Sequence, residues 1–324
     1  MPGLRTSPTL LRRSTQAIYT VADLEYFEKP QLKRTVLIAA FAGWPDASEA
    51  ATRAARYIVR DLGATRFAAI DPEEFYVYTE QRPIVSTTRS GTRRISWPKN
   101  RFYAWRPEDP SKHDLVIMIG AEPQLRWKRF ADLVLDVVNT CNVELMVTLG
   151  ALLDGVPHTR PARVTTSATS TNLGGDFSDI RWGPSRYEGP TGITSILTDS
   201  LTRHGIECVS LWGHAPHYLQ VRPNPVVTLA LLEAAQRFIP QTIDIERLEM
   251  RAKDFDSTVA RALRDQEQVR GYVSQLEQKY DSDAEADEED AAIPEGDAES
   301  LVADVEEFLR RSSDGPNDGE PPVG

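Results

Sequence analysis

Three polar residues have side chains suited to acid–base chemistry and lie in loops that could form one site. Asp46, Glu122 and His158 each stand in a loop that follows a buried-looking apolar run. In an open parallel sheet such loops gather at the carboxyl ends of the strands, where ligands bind. Two carboxylates and an imidazole that titrates near neutral pH are groups that a hydrolase or phosphorylase uses. The sequence therefore predicts a candidate ligand cleft here, with Trp44 and Trp127 as its apolar walls.

Each of these polar residues also has a structural interpretation. Asp46 can cap the helix that follows it, and Glu49, three residues later, can complete a capping box. Glu122 fits the first turn of another helix, and a single histidine such as His158 in a proline-rich loop is more often structural. Both interpretations stay open at this stage, and we assign no catalytic residue.

A glycine-containing segment before a further predicted helix is a candidate anion site. Gly189, Thr191 and Gly192 lie in YEGPTGI, where free backbone amides at a helix start can hold a phosphate. The glycines can equally serve a turn or close packing. The sequence contains no P-loop, nucleophile-elbow or dinucleotide fingerprint. Pro216 between His214 and His217 excludes the helical spacing of zinc proteases, so we expect no metal and no cofactor.

The charge of the chain is concentrated at one end. The formal net charge is −11, but residues 281–324 carry 16 Asp and Glu against Arg310 and Arg311, which leaves +3 for residues 1–280. A near-neutral body with an acidic tail argues against nucleic-acid binding. The longest apolar run, 36–42, is too short to cross a membrane. We expect a cytoplasmic protein.

The body alternates strand-like and helix-like segments, which predicts an α/β fold. Continuous Val, Ile and Leu runs are typical of strands buried on both faces, and they occur at 35–41, 65–70, 114–119, 143–149 and 205–211. The pattern predicts a three-layer α/β/α sandwich with a mostly parallel sheet over residues 1–243. Proline and glycine break residues 80–105 into short segments, which predicts an antiparallel excursion from the sheet. Cys141 and Cys208 are expected to be reduced and buried.

A different periodicity begins at Ile245. Apolar residues follow one another at steps of three and four as far as Tyr280, which predicts a helical extension over residues 244–280. The pattern does not decide between one long helix and a folded hairpin. Residues 281–324 are too acidic and too poor in large apolar side chains to offset the entropy of ordering, so we predict a disordered tail.

A short amphipathic helix is predicted inside that tail, near residues 298–311. Leu301, Val305 and Phe308 fall on one stripe of an otherwise acidic surface. A lone helix of this length is marginal in water, so the stripe needs a groove to occupy. We predict that these three residues bind a protein partner with a basic rim.

Five segments of the chain carry a resemblance to a known family. They are, in order, FAGWPDASEAATRAARYI, IGAEPQLRWKRF, PHTRPARV, YEGPTGI and LWGHAPHYLQVRPNP. Their order and spacing resemble the proteasome assembly chaperone family, second-subunit type, in its actinobacterial form. The resemblance covers residues 35–280.

The resemblance implies both a fold and a function. It implies an α/β/α sandwich similar to nucleoside phosphorylases, followed by a helical region. It also implies that the protein forms a homo-oligomer, of which a trimer is one candidate form. It also implies a non-catalytic protein-interaction or assembly factor with a proteasome-related protein partner. The alternative is a small-ligand-binding protein or a phosphorylase- or hydrolase-like enzyme that uses the strand-end cleft.

Overall fold

A computed structural model describes residues 19–21, 23–88, 90–170, 185, 187–219, 221–264 and 266–289. Eleven strands and six α-helices lie in this part of the chain. The strands are β1 (Tyr19–Val21), β2 (Leu24–Tyr26), β3 (Thr35–Ala42), β4 (Thr65–Ile70), β5 (Ile84–Thr87), β6 (Arg93–Ser96), β7 (Asn100–Trp105), β8 (Asp114–Ala121), β9 (Val143–Asp154), β10 (Val164–Ala168) and β11 (Glu207–Pro216). The helices are α1 (Ala50–Asp61), α2 (Trp127–Thr140), α3 (Ile193–Arg203), α4 (Pro225–Ala235), α5 (Glu246–Leu263) and α6 (Glu267–Glu289).

Nine of the strands form one mixed sheet in the order β1-β2-β4-β7-β8-β3-β9-β11-β10. The four central strands β8, β3, β9 and β11 are parallel, and Ile38 of β3 pairs with Ile117 on one side and Val147 on the other. The remaining pairs are antiparallel. A parallel pair of strands requires a crossover connection, which is usually a helix. No helix lies among the described residues between β4 and β8. The predicted α/β fold is confirmed, with parallel pairing confined to the centre of the sheet.

Helices cover both faces of this sheet. Alternate residues of β3 point to opposite faces, so Ile38 packs with α1 and α4 while Leu37 and Phe41 pack with α2 and α3. The side of α1 that faces the sheet is made largely of alanines, which lets the helix lie close to the strands. The two apolar clusters establish the predicted three-layer sandwich.

The predicted excursion is divided between two structures. Strands β5 and β6 form a separate two-stranded antiparallel hairpin, as expected. Asn100–Trp105, which we also placed in the excursion, instead enters the main sheet as β7 between β4 and β8. Burial of Phe102 and Asn100 accounts for this placement, because both side chains lie inside the sandwich.

The C-terminal helices do not form one rod. α5 ends at Leu263 and packs against α4, with Leu248 and Ala252 buried. α6 begins at Glu267 and continues to Glu289, nine residues beyond the point where we expected disorder to begin. Residues 290–324 lie outside the described part of the chain, and so do the predicted helix near 298–311 and its apolar stripe.

Within the described residues, no helix is long and apolar enough to span a membrane. Cys141 and Cys208 are buried thiols, as expected. Burial raises the pKa of Cys141 to about 12 and that of Cys208 to about 11, so both thiols are protonated at neutral pH.

Candidate functional site

Five strands of the main sheet end on the same side, which we call the carboxyl edge. The parallel strands β8, β3, β9 and β11 all end there. β4 is antiparallel to β7, which is antiparallel to β8, so β4 ends at this edge too. The loops that leave these ends cover residues 43–49, 71–99, 122–126, 155–163 and 217–224, and they carry Trp44, Asp46, Glu122 and His158.

Asp46 caps α1, but not through the predicted capping box. Its Oδ1 accepts from the amides of Ala51 at 2.8 Å and Thr52 at 3.1 Å, and its Oδ2 accepts from the Thr52 hydroxyl at 2.6 Å. Ser48 and Glu49 have positive φ values of 53° and 58°, so the regular helix starts only at Ala50. Glu49 pairs with Arg53 instead of reaching back, and the capping-box prediction is wrong.

Burial decides the protonation behaviour of Asp46. The residue is 7 % exposed, and this burial raises the pKa of its carboxyl group above the usual value, while the bonds from Thr52 and Ala51 and the charge of Arg56 lower it. A backbone bridge to Ala151 ties the residue to the end of β9. Asp46 therefore joins α1 to the sheet.

Glu122 holds the start of α3. Its Oε1 accepts from the amide of Ile193 at 2.9 Å, where the helix leaves an unpaired donor. A Cβ atom at Gly192 would lie 2.8 Å from that oxygen and 3.2 Å from the Trp44 ring. A side chain at position 192 would therefore have to displace the Glu122 carboxylate, and the structure brings Trp44, Glu122 and Gly192 together.

The other predicted site residues are arranged around this contact. Trp127 begins α2, donates its indole N–H to the carbonyl of Pro123 at 2.5 Å and packs partly against the core. Gly189 and Thr191 are exposed. A Cβ atom at Gly189 would lie 2.7 Å from the Tyr187 hydroxyl, which donates to the Pro190 carbonyl. These contacts describe a local turn, and anion binding there stays a prediction.

His158 lies on the other side of the carboxyl edge, against α5. The Tyr218 hydroxyl accepts from the His158 amide at 2.8 Å and lies 2.7 Å from its Nδ1. Burial lowers the pKa of His158, against the opposing charges of Asp256 and Glu277. A shallow depression beside it is lined by residues that include Val227 of α4 and Phe255 of α5. The hydrogen bonds of Asp46, Glu122 and His158 thus go to three different sets of partners, and a ligand cleft shared by them remains a prediction.

Sequence reasoning missed a polar chain that crosses three adjacent strands. Asp154 Oδ2 at the end of β9 lies 2.6 Å from His214 Nδ1 on β11. His214 Nε2 lies 3.0 Å from the hydroxyl of Thr165 on β10. In the parallel register His214 pairs with Leu152, two residues before Asp154, so both side chains lie on one face. This contact depends on the register between β9 and β11, which are neighbours in the sheet but far apart in the sequence. The sequence alone does not give that register.

This chain of groups has both a chemical and a structural meaning. Burial alone would raise the pKa of Asp154, but the hydrogen bond and charge of His214, the Gly155 amide and Arg163 together lower it. A carboxylate, imidazole and hydroxyl in this order can activate a hydroxyl nucleophile. Here all three groups bridge β9, β11 and β10, so they also fasten the edge strand to the sheet. Among the described residues, no cluster of three or more His, Cys, Asp or Glu could hold a metal ion.

α6 is attached to the carboxyl edge by a second polar cluster. Arg160 donates from Nε and Nη2 to both carboxylate oxygens of Asp281 at 2.8 and 2.7 Å, and from Nη1 to Glu277 at 3.1 Å. Tyr280 donates to the Pro161 carbonyl at 3.1 Å. The Tyr272 hydroxyl lies 3.2 Å from a ring nitrogen of His217, and the two rings pack edge-on. α6 therefore closes over the loops after β9 and β11.

The apolar side chains of the carboxyl edge are largely uncovered. Ten large apolar residues are exposed among the described residues, and nine of them lie at this edge, with only Met250 elsewhere, on α5. The nine are Trp44, Ile84, Val85, Ile95, Trp97, Leu125, Leu153, Tyr187 and Val221. Exposed apolar side chains that gather into a contiguous patch mark an interaction surface. At this edge the polar side chains described above have hydrogen-bond partners, whereas the large apolar side chains are exposed.

The fold and this edge together define an α/β/α sandwich protein with an apolar strand-end surface. A family model described as the PAC2 family matches residues 40–263, and the chain belongs to this family. No match was found among proteins of curated function.

Solved structures support the same assignment. A PAC2 family protein from Streptomyces avermitilis is 37 % identical, with a TM-score of 0.63 over 74 % of this chain and 99 % of that one. A proteasome-assembly chaperone homologue from Mycobacterium tuberculosis is 34 % identical, with a TM-score of 0.65 over 74 % and 99 %. An archaeal proteasome activator from Pyrococcus furiosus, 20 % identical with a TM-score of 0.59 over 74 % and 97 %, shares the fold.

Proposed function

We propose that this protein is a non-catalytic protein-interaction or assembly factor. The observation that carries the proposal is the carboxyl edge, where Asp46, Glu122 and Asp154 are each bonded to their own neighbours while nine large apolar side chains are exposed. Catalytic groups need an open partner for the substrate. Exposed apolar surface needs another surface to cover it.

The partner that we propose is a proteasome-related protein. Relatives described as a proteasome-assembly chaperone homologue and as an archaeal proteasome activator support this choice. We further infer a homo-oligomer, with a trimer as one form, acting in the cytoplasm. Relatives from Streptomyces and Mycobacterium support the actinobacterial form of the family.

The predicted ligand cleft fits this proposal as a structural remnant. Glu122 is engaged with the α3 amide, and a side chain at position 192 would displace its carboxylate. We propose that Trp44, Asp46, Glu122, Trp127 and His158 now hold loops in place. No observation on these residues favours the enzyme alternative.

The tail contributes the second binding element of the proposal. Leu301, Val305 and Phe308 are the proposed apolar anchors for the partner. Ten acidic residues between positions 281 and 299 speed encounter with a basic surface and make capture salt-sensitive.

Native mass spectrometry of the complex isolated from its source cells tests the function. We expect a homo-oligomer with a protein partner and no stoichiometric small molecule. The full chain with Glu122→Gln should keep the partner, whereas Leu301→Ser, Val305→Ser and Phe308→Ser together should lose it and retain the oligomer. A retained small molecule without a protein partner, or a purified activity that Glu122→Gln removes, would overturn the proposal.

A further inference from the structure

The β5–β6 hairpin presents an apolar face that the rest of the described chain leaves uncovered. Val85 pairs with Ile95 across the hairpin, so both side chains lie on one face, and they are 50 % and 58 % exposed. Trp97 lies two residues beyond Ile95 and packs edge-on against Tyr78, with ring centroids 4.9 Å apart and 43 % of the residue exposed. We call Val85, Ile95 and Trp97 the hairpin face. Ile84 lies on the opposite face.

The hairpin is also strongly basic. Residues 82–99 contain five Arg and Lys and no Asp or Glu. Within the described residues, none of the ion pairs involves Arg82, Arg93, Arg94 or Lys99. Arg93 pairs with Thr87 and therefore lies on the same side as Val85 and Ile95. An apolar patch with unpaired positive charges fits an occupant that is apolar and acidic.

One segment of this chain has that chemistry. Residues 281–324 carry 16 acidic and two basic residues, and their predicted amphipathic helix places Leu301, Val305 and Phe308 on one stripe. We propose that residues 298–311 dock onto the hairpin face, with the three apolar side chains against Val85, Ile95 and Trp97 and the surrounding acids beside the arginines.

The position from which the tail leaves the body agrees with this pairing. Arg160 holds Asp281 of α6 at the carboxyl edge, and the hairpin follows β4 at the same edge. Arg160 follows β9, which lies four strand positions from β4, about 19 Å at the usual spacing, and α6 continues for eight residues, about 12 Å, beyond Asp281. Residues 290–300 can span up to about 36 Å. The segment can therefore reach the hairpin of its own chain, and that of a neighbouring copy in an oligomer.

Docking would link the carboxyl edge and the tail, the two elements through which the proposed function binds a partner. The hairpin and the partner would compete for the same stripe on the tail, so a partner must displace the tail to bind it. This consequence rests on the proposed function, whereas the tail–hairpin contact itself does not. An experiment on the isolated protein therefore separates the two.

Hydrogen exchange of the full-length chain tests the contact. With an effective concentration of about 1 mM for the tethered segment and an intrinsic Kd of about 0.1 mM, the docked fraction is about 90 % and exchange in 84–97 slows about tenfold. We expect Leu301→Ser, Val305→Ser and Phe308→Ser together to remove this protection, and 0.5 M salt to reduce it. Equal exchange rates in 84–97 for this variant and the unaltered chain would overturn the proposal.

Carbodiimide cross-linking gives an independent measurement that does not depend on hairpin stability. We expect cross-links from Lys99 to tail carboxylates, and expect them to be lost when Val85 and Ile95 are both changed to Ser. Ile84→Ser on the opposite face is the matched control and should retain them. Protection that survives the tail substitutions and rises with protein concentration would mean that a second copy covers the hairpin face, which also overturns the proposal.

Discussion

Two parts of the carboxyl edge differ in whether their side chains are already engaged by the rest of the fold. The loops after β3, β8 and β9 contain carboxylates that are already bonded, Asp46 to α1, Glu122 to α3 and Asp154 to His214. The hairpin after β4 contains apolar residues and arginines that the described residues leave uncovered. The polar groups of the edge thus stabilise the fold. The uncovered apolar and basic side chains are the ones that are available to bind a protein.

Removing the most buried of these carboxylates should have the largest effect on stability. Asp46→Ala leaves two amides and the Thr52 hydroxyl without their acceptor, at a cost of about 3 kcal/mol in the free energy of unfolding. For a body of this size the Tm should fall by about 6–12 °C, measured by calorimetry. Glu49→Gln, which removes only the exposed pair with Arg53, should leave the Tm nearly unchanged. A similar drop for both variants would show that Asp46 is not the cap we describe.

The Asp154–His214 pair should show a smaller effect that depends on pH. Asp154→Asn should lower the free energy of unfolding by about 2 kcal/mol at pH 7. The pKa of Asp154 is lowered in the folded state from 3.8, so the ionised carboxylate contributes stability above that value and loses it as pH falls through the folded pKa. Denaturant titrations of both proteins at pH 7 and pH 3 should converge at the lower pH. A difference that stays constant would refute the ionic contribution.

Substitutions at two glycines should change the free energy of unfolding by smaller amounts and in opposite directions. Gly192→Ala places a methyl group 2.8 Å from Glu122 Oε1 and should cost about 1 kcal/mol by displacing the α3 contact. Gly271→Ala, in the interior of α6 with open space around it, should stabilise by about 0.5–1 kcal/mol. Urea melts of the two variants should therefore shift in opposite directions. Destabilisation by both would remove the argument for close packing at Gly192.

The hairpin should be the least sensitive region. In a chain that already carries Leu301→Ser, Val305→Ser and Phe308→Ser, Val85→Ser with Ile95→Ser alters side chains that are already about half exposed, so we expect the free energy of unfolding to change by less than about 0.5 kcal/mol. A thermal melt followed by circular dichroism checks this. A large fall in Tm would mean that the hairpin belongs to the core and that the contrast between the two parts of the edge is wrong.

The sequence predicts the layers of this fold better than it predicts the contacts at its edge. Continuous apolar runs locate β3, β4, β8 and β9, because strands buried on both faces leave no other pattern. The capping box fails because Ser48 and Glu49 adopt left-handed backbone conformations that no local signal announces. The Asp154–His214 contact depends on the register of β9 and β11, which tertiary packing sets.

The same limit applies to the C-terminal helices. Steps of three and four from Ile245 to Tyr280 indicate an apolar seam but not which surface covers it. α5 uses its part of the seam against α4, while Val273 and Leu276 of α6 are buried near the strand-end loops. Of the candidate site, the sequence places Trp44 and Glu122 in loops that follow the adjacent strands β3 and β8, whereas the contact of Gly192 with them depends on where α3 packs.

The Arg160 cluster determines how the protein responds to mechanical load. A force applied to Glu289, the last residue of α6, in an optical trap travels along this helix and reaches the Asp281 and Glu277 ion pairs before any strand of the main sheet. Ion pairs at the surface yield at low force compared with a ladder of β-sheet hydrogen bonds loaded in shear. α6 should therefore detach first, as a separate short extension, and leave the sandwich of α1–α5 intact.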